Sequence, residues 1–181
     1  MKIEGHRYFQ PVQAEEVAMA FGRHGVEYLF IGKSGAILLG YPAATQDVDL
    51  FPKKSVENGH RIVAALAEMG FPADEAVKEN IIAGTDFVQL KDGPFDLDLV
   101  FAPDGIEDFD IANKRKIQKD QFPVANLRDI IASKRASGRQ KDLIDLPMLE
   151  EFADEFERSV RSEPATAYEV AMKKLDKRDI K

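Results

Sequence analysis

Apolar positions recur along this chain with two periods, and the alternation between them outlines the elements. From Pro11 to His24, Val12, Val17, Ala18, Met19 and Phe21 fall at near-helical spacing, and Gly25 stands where a helix would stop. Glu27–Ile31 is a short β-prone run between glycines, which predicts a buried strand. The stretch Gly32-Lys33-Ser34-Gly35 reads as a turn, Ala36–Leu39 as a short helix closed by Gly40 and Pro42, and Asp47–Phe51 as a second strand ended by Pro52. Ser55 is placed to cap a helix running to Met69, with Gly70 at its end. Asn80–Leu90 and Phe95–Phe101 read as antiparallel strands joined by a hairpin at Lys91-Asp92-Gly93-Pro94. Arg115–Val124 predicts a further short hairpin at a sheet edge, because it is polar and contains Pro123. Asn126 then caps a helix that Gly138 breaks, a second helix runs from Gln140 to Phe156, and the remainder to Lys181 reads as one more amphipathic helix with a basic end.

This order predicts an α/β (α+β) fold, a mixed sheet flanked by helices with a helical C-terminal part. Residues 1–125 would form the α/β core and 126–181 a helical segment packed on it, with no linker that divides the chain securely. At 181 residues such a chain buries a sizeable core without staples. It contains no cysteine, which removes disulfides and thiolate metal sites, and it has no apolar run long enough to span a membrane. A cytoplasmic protein without a membrane partner is the expectation. The net charge of −7 divides unevenly, −10 over residues 1–112 and +3 over residues 113–181. A nucleic-acid partner is therefore not indicated by the overall charge; only local clusters such as Lys134, Arg135, Arg139 and Lys141 offer a basic footprint.

The candidate chemistry lies in two acidic strands. Asp47 and Asp49 sit two residues apart, so on a strand they share one face while Val48 and Leu50 take the other. Their Cα atoms would lie about 7 Å apart, close enough for side-chain oxygens to converge on a hard divalent ion. With no cysteine and three histidines in the chain, magnesium or manganese held by oxygen is the natural cation. The second segment, Phe95-Asp96-Leu97-Asp98-Leu99-Val100-Phe101, repeats the pattern. A single D-x-D is commonly a half-exposed strand with its acids in water, but two of them on one sheet would repel unless cations or basic groups answer them.

Glycine turn, short helix, Gly40-Tyr41-Pro42, then Thr45-x-Asp47-x-Asp49 on a strand and a third aspartate on a later strand resemble the minimal nucleotidyltransferase fold of the polymerase-beta type. The chain looks closest to the small bacterial branch related to abortive-infection and toxin–antitoxin nucleotidyltransferases. Ala125–Leu149 is similar to that branch's helix–Gly–helix ending, and the resemblance spans Gly25 to Leu149. It implies Asp47, Asp49 and Asp98 as catalytic metal ligands for Mg2+ or Mn2+. It also implies Gly32, Lys33, Ser34 and Lys134 as nucleotide-binding residues, with a nucleoside triphosphate as substrate. Asp96 shares a face with Asp98, so alternation does not choose between them, and the family pattern is what favours Asp98. Asp142 and Asp145, three apart on one helical face, read as salt-bridge partners of Arg139 or Lys141.

The activity so implied is transfer of a nucleoside monophosphate from an NTP to an acceptor hydroxyl on protein, RNA or a small molecule. Two positions depart from the family pattern: Lys33 follows Gly32 where the family has Gly or Ser, and Ala43 stands where relatives often carry arginine. These departures favour an alternative, a catalytically idle module of the same fold that binds a protein partner, such as a toxin–antitoxin component. A metal-dependent phosphohydrolase or nuclease using the same carboxylates is a third reading.

Overall fold

The computed structural model describes residues 8–162. Among these residues six strands form one mixed sheet in the order β3-β4-β2-β1-β6-β5, with seven helices around it. Helix α1 (Pro11–His24) starts with proline in its first turn and ends on Gly25 in the left-handed conformation, φ +65°. Strand β1 (Tyr28–Phe30) is buried at every position, as its continuous apolar run requires in a sheet covered on both faces. It pairs antiparallel with β2 (Val48–Pro52) and parallel with β6 (Phe122–Val124).

Two expectations change here. Helix α2 spans Gly32–Leu38, so the residues read as a glycine turn already form its first turn. The segment from Asn80 is not a strand until Phe87. Helix α4 (Glu75–Ala83) occupies its first part, capped by the Asp74 side chain, which accepts from the Val77 N–H, and closed by left-handed Gly84. The paired caps at Asp74 and Gly84 outweigh the β preference of Ile81 and Ile82. Strands β3 (Phe87–Leu90) and β4 (Leu97–Val100) then form the expected antiparallel pair. A short helix, α5 (Phe109–Lys114), capped by Asp108, was not foreseen.

Strand β5 (Ile117–Lys119) makes the expected hairpin with β6 and is the sheet edge; Pro123 lies one strand further in, where β6 meets β1 only at Phe30 and Val124. Helix α3 (Val56–Glu68) begins at the Ser55 cap as expected. Helices α6 (Leu127–Ser137) and α7 (Gln140–Ser162) fold back on each other through Gly138, and α6 also packs on α2. Arg128 holds this hairpin from outside, forking onto Asp154 and Glu157. The helix expected to reach Lys181 lies outside the described residues beyond Ser162.

Helices α1, α3 and α4 pack in series. Their fully buried Phe21, Ile62, Leu66 and Ile81 belong to the same core as Leu50, Leu97 and Leu99 of the sheet. The approach of α3 to α4 is close enough that a Cβ on Gly59 would lie 2.5 Å from the Ile82 Cα. Beside it, Asn58, 1% exposed, ties α3 to both central strands: it accepts from the Glu27 N–H and donates to the Glu27 and Lys53 carbonyls. Removing that amide takes the side-chain partner from the Glu27 N–H and the Lys53 carbonyl, while the Glu27 carbonyl keeps the Lys53 N–H. Asn58→Ala is therefore expected to cost about 2–4 kcal/mol of stability in urea unfolding. A loss below about 0.5 kcal/mol would show that these bonds do not hold the layers together.

Candidate active site in the cleft between β4 and the last two helices

The register of the sheet sets the acidic centre. Strands β2 and β4 run parallel with Asp49 beside Asp98, while their neighbours Val48, Leu50, Leu97 and Leu99 turn to the opposite face and are fully buried. Asp47 immediately precedes β2 and lines the same cavity, of about 460 Å3. Asp96 does not line it; its carboxylate lies 3.6 Å from the Lys91 ammonium. Of Asp96 and Asp98, Asp98 is the one brought to Asp47 and Asp49.

The local sequence of α2 explains how Asp49 is held. Gly32 has φ +61°, and a Cβ there would lie 2.5 Å from Asp49 Oδ2, so only glycine lets this carboxylate sit against the helix start. Ser34, fully buried, donates its hydroxyl to the Ile31 carbonyl at 3.2 Å and accepts from the Asp49 N–H at 3.0 Å. With its single proton spent and no exposure to the cavity, Ser34 fixes the strand that carries Asp49 and does not face a ligand. Gly35 has a packing role: a Cβ there would meet the Phe30 carbonyl oxygen at 3.0 Å.

Two carboxylate oxygens in this centre, Asp47 Oδ1 and Asp98 Oδ1, are buried without a hydrogen-bond partner. Lys91 Nζ approaches Asp47 Oδ1 only to 4.0 Å, beyond hydrogen-bond reach. Asp49 presents some surface to the cavity, yet protein surrounds it closely enough that burial, then the charges of Asp98 and Asp47, push its pKa up to about 7 against the pull of Lys134 and Arg139. Burial also raises Asp98, opposed by its cross-strand neighbour Gln89.

The facing wall is basic. Lys33 from α2, Lys134 from α6, and Arg139 and Lys141 at the start of α7 all line the cavity. Two of the acids there are already answered. Asp145 pairs with Lys33 at 2.5 Å, and Asp142 accepts from Lys134 at 3.1 Å, Ser137 at 2.9 Å and Arg139 at 2.5 Å. Burial would raise Asp142, but these three donors together hold it below the usual carboxylate range. The helical face Asp142–Asp145 thus pairs with Arg139 as expected, while its other partners come from α2 and α6. Lys134 is 9% exposed and Lys33 is half-buried, so both reach the cavity already engaged.

Seven aspartates and four basic side chains line the cavity, a balance of −3 with all of them ionised. Asp86 and Asp104, which the sequence reading did not single out, are among the seven. They carry no motif spacing, and only the topology brings them in.

Orphaned carboxylate oxygens, a raised Asp49 and an all-oxygen donor set fit a hard divalent cation. Among the described residues, however, no three His, Asp or Glu side chains converge as tightly as a metal cluster does. Asp47, Asp49 and Asp98 share a cavity as mutually repelling groups, and bringing their oxygens onto one ion requires side-chain rotation. No family model matches the sequence, and no curated protein matches it.

The raised Asp49 has a thermodynamic consequence with a definite sign. Between its ordinary value of 3.8 and about 7 the folded chain holds a proton that the unfolded chain has lost, so stability falls as pH rises through that window. Melting temperatures measured in chelator from pH 4 to 8 are expected to fall more steeply for the native sequence than for Asp49→Asn. Equal slopes would mean that Asp49 is not strained by its neighbours.

Proposed function

We propose that this protein is a metal-dependent nucleotidyltransferase that moves a nucleoside monophosphate from an NTP to an acceptor hydroxyl. The observation that carries the reading is the pairing of Asp49 with Asp98 across parallel strands, with orphaned oxygens of Asp47 and Asp98 in a cavity that faces Lys33, Lys134 and Arg139. A cavity of balance −3 repels a polyanionic substrate, so the NTP enters with its charge covered by divalent cations. Asp47, Asp49 and Asp98 would hold Mg2+ or Mn2+, which supplies charge neutralisation at the reacting phosphate.

The chain's own groups account for the remaining requirements. Lys134 and Arg139 supply fixed positive charge on the opposite wall, and substrate phosphates compete with Asp142 for them. Lys33 meets the same competition from Asp145. Asp98 would accept the proton of the acceptor hydroxyl as that oxygen bonds to phosphorus and pyrophosphate leaves. Gly32 and Ser34 serve by positioning Asp49.

A second reading keeps the fold and drops the chemistry. The ion pairs Lys33–Asp145 and Lys134–Asp142 satisfy the cations that phosphates would need, as expected of an idle module that binds a protein partner. The two readings separate on one pair of measurements. Mn2+ is expected to raise the melting temperature of the native chain and not that of Asp49→Asn, and labelled NTP with acceptor extract is expected to release pyrophosphate only with the native chain. An equal shift in both proteins and no pyrophosphate would favour the idle module. Release of orthophosphate in place of pyrophosphate would mean that water attacks the terminal phosphate, the phosphohydrolase reading.

A further inference from the structure

One large aromatic side chain faces the cavity without being packed. Phe87 on β3 is 52% exposed, lies opposite Val100 in the β3–β4 register, and lines the same cavity as Asp98. Exposed at a cavity wall, the ring offers its apolar face to a planar partner. Val100 and Phe87 stand two residues beyond Asp98 and Gln89 on the same sheet face, about 7 Å along the strands. That offset corresponds to the span of a sugar between a phosphate at the aspartates and a base over the ring.

Two further carboxylates, Asp86 and Asp104, line the cavity with Phe87. Asp86 precedes Phe87, and its carbonyl accepts from the Phe101 N–H, which brings the loop after β4 alongside. That loop carries Pro103 and Asp104 into the same cavity and packs on α6, where a Cβ on Gly105 would lie 2.6 Å from the Ala132 carbonyl oxygen. Neither Asp86 nor Asp104 has an ion-pair partner among the described residues. A carboxylate only accepts hydrogen bonds. Guanine presents two N–H donors side by side, on N1 and N2, and so matches a carboxylate in the parallel two-bond manner of a charged fork. Adenine and cytosine place an acceptor nitrogen beside their amino group, and uracil flanks its single N–H with two carbonyls, so each would point lone pairs at the carboxylates.

Resting on the nucleotidyltransferase reading, we infer that Phe87 is the stacking platform for the base of the incoming nucleotide, and that Asp86 and Asp104 make the site selective for guanine. The unpartnered Oδ1 of Asp98, a residue 6% exposed, marks the end of this cavity where the phosphate would lie. Phe87, Asp86 and Asp104 contribute to specificity and stand apart from the reacting atoms.

The test is calorimetric binding of the four nonhydrolysable NTP analogues and of inorganic triphosphate, each with Mn2+, to the full chain and to Phe87→Leu, Phe87→Tyr, Asp86→Asn and Asp104→Asn. All three positions are at the cavity surface, and a thermal melt of each variant checks folding. The GTP analogue is expected to bind tightest. Phe87→Leu is expected to weaken it about tenfold, within the range of base–aromatic stacking, while Phe87→Tyr retains it. At least one of the two Asp→Asn variants is expected to lose the guanine preference without weakening the ATP analogue. Equal affinity for all four bases with inorganic triphosphate binding as well, or a preference that survives both Asp→Asn changes, would overturn the inference and leave the nucleotidyltransferase reading standing. If neither nucleotide nor triphosphate binds, both fall.

Discussion

The structure depends on a juxtaposition that electrostatics alone disfavours: Asp49 and Asp98 side by side on adjacent parallel strands, with Asp47 at the strand end. Every side chain alternating with the pair is an aliphatic residue buried on the opposite face, so the acids cannot be relieved by a register slip without exposing Val48, Leu50, Leu97 and Leu99. Gly32 and Ser34 add to the constraint by holding Asp49 against α2. The protein meets the repulsion by raising the proton affinity of Asp49. Two of the cluster's oxygens have no partner, and the divalent cation proposed above would answer both them and the repulsion.

The helical hairpin α6–α7 supplies the complementary half. Asp142 and Asp145 hold Lys134 and Arg139 of this hairpin, and Lys33 of α2, where the phosphates of the proposed substrate would otherwise engage them, while Lys141 has no ion-pair partner among the described residues. Lys33, which departs from the glycine or serine of the resembled pattern, has a partner in Asp145 that compensates for it. A lysine in this position therefore does not need a phosphate to be stable, and its charge is available only to a ligand that competes with a carboxylate. This exchange of internal for external anions would link substrate binding to the position of α7.

Much of the frame could be read from the sequence because local signals agreed with one another. The Ser55 cap, Gly25 and Gly138 at helix ends, the hairpin at Lys91–Pro94 and the alternation around Asp49 all match the structure. Helix α4 was misread because Ile81 and Ile82 suggest a strand, although Asp74 and Gly84 marked a helix at both ends. The shared face of Asp47 and Asp49 was legible from their spacing, whereas the preference for Asp98 over Asp96, which the cavity lining matches, came from the family resemblance. The site was not legible where a partner distant in sequence decides the role: the turning inward of the Ser34 hydroxyl, the pairing of Lys33 with Asp145, and the arrival of Asp86 and Asp104 at one cavity follow from topology.

The central claim is that three aspartates from two strands serve one divalent cation centre. Anomalous diffraction from a crystal of the full chain soaked in Mn2+ tests it without reference to turnover. The account predicts a manganese peak within direct coordination distance of carboxylate oxygens from Asp49 and Asp98, with Asp47 contributing. Manganese bound only elsewhere on the surface, with the three carboxylates unmoved, would contradict it.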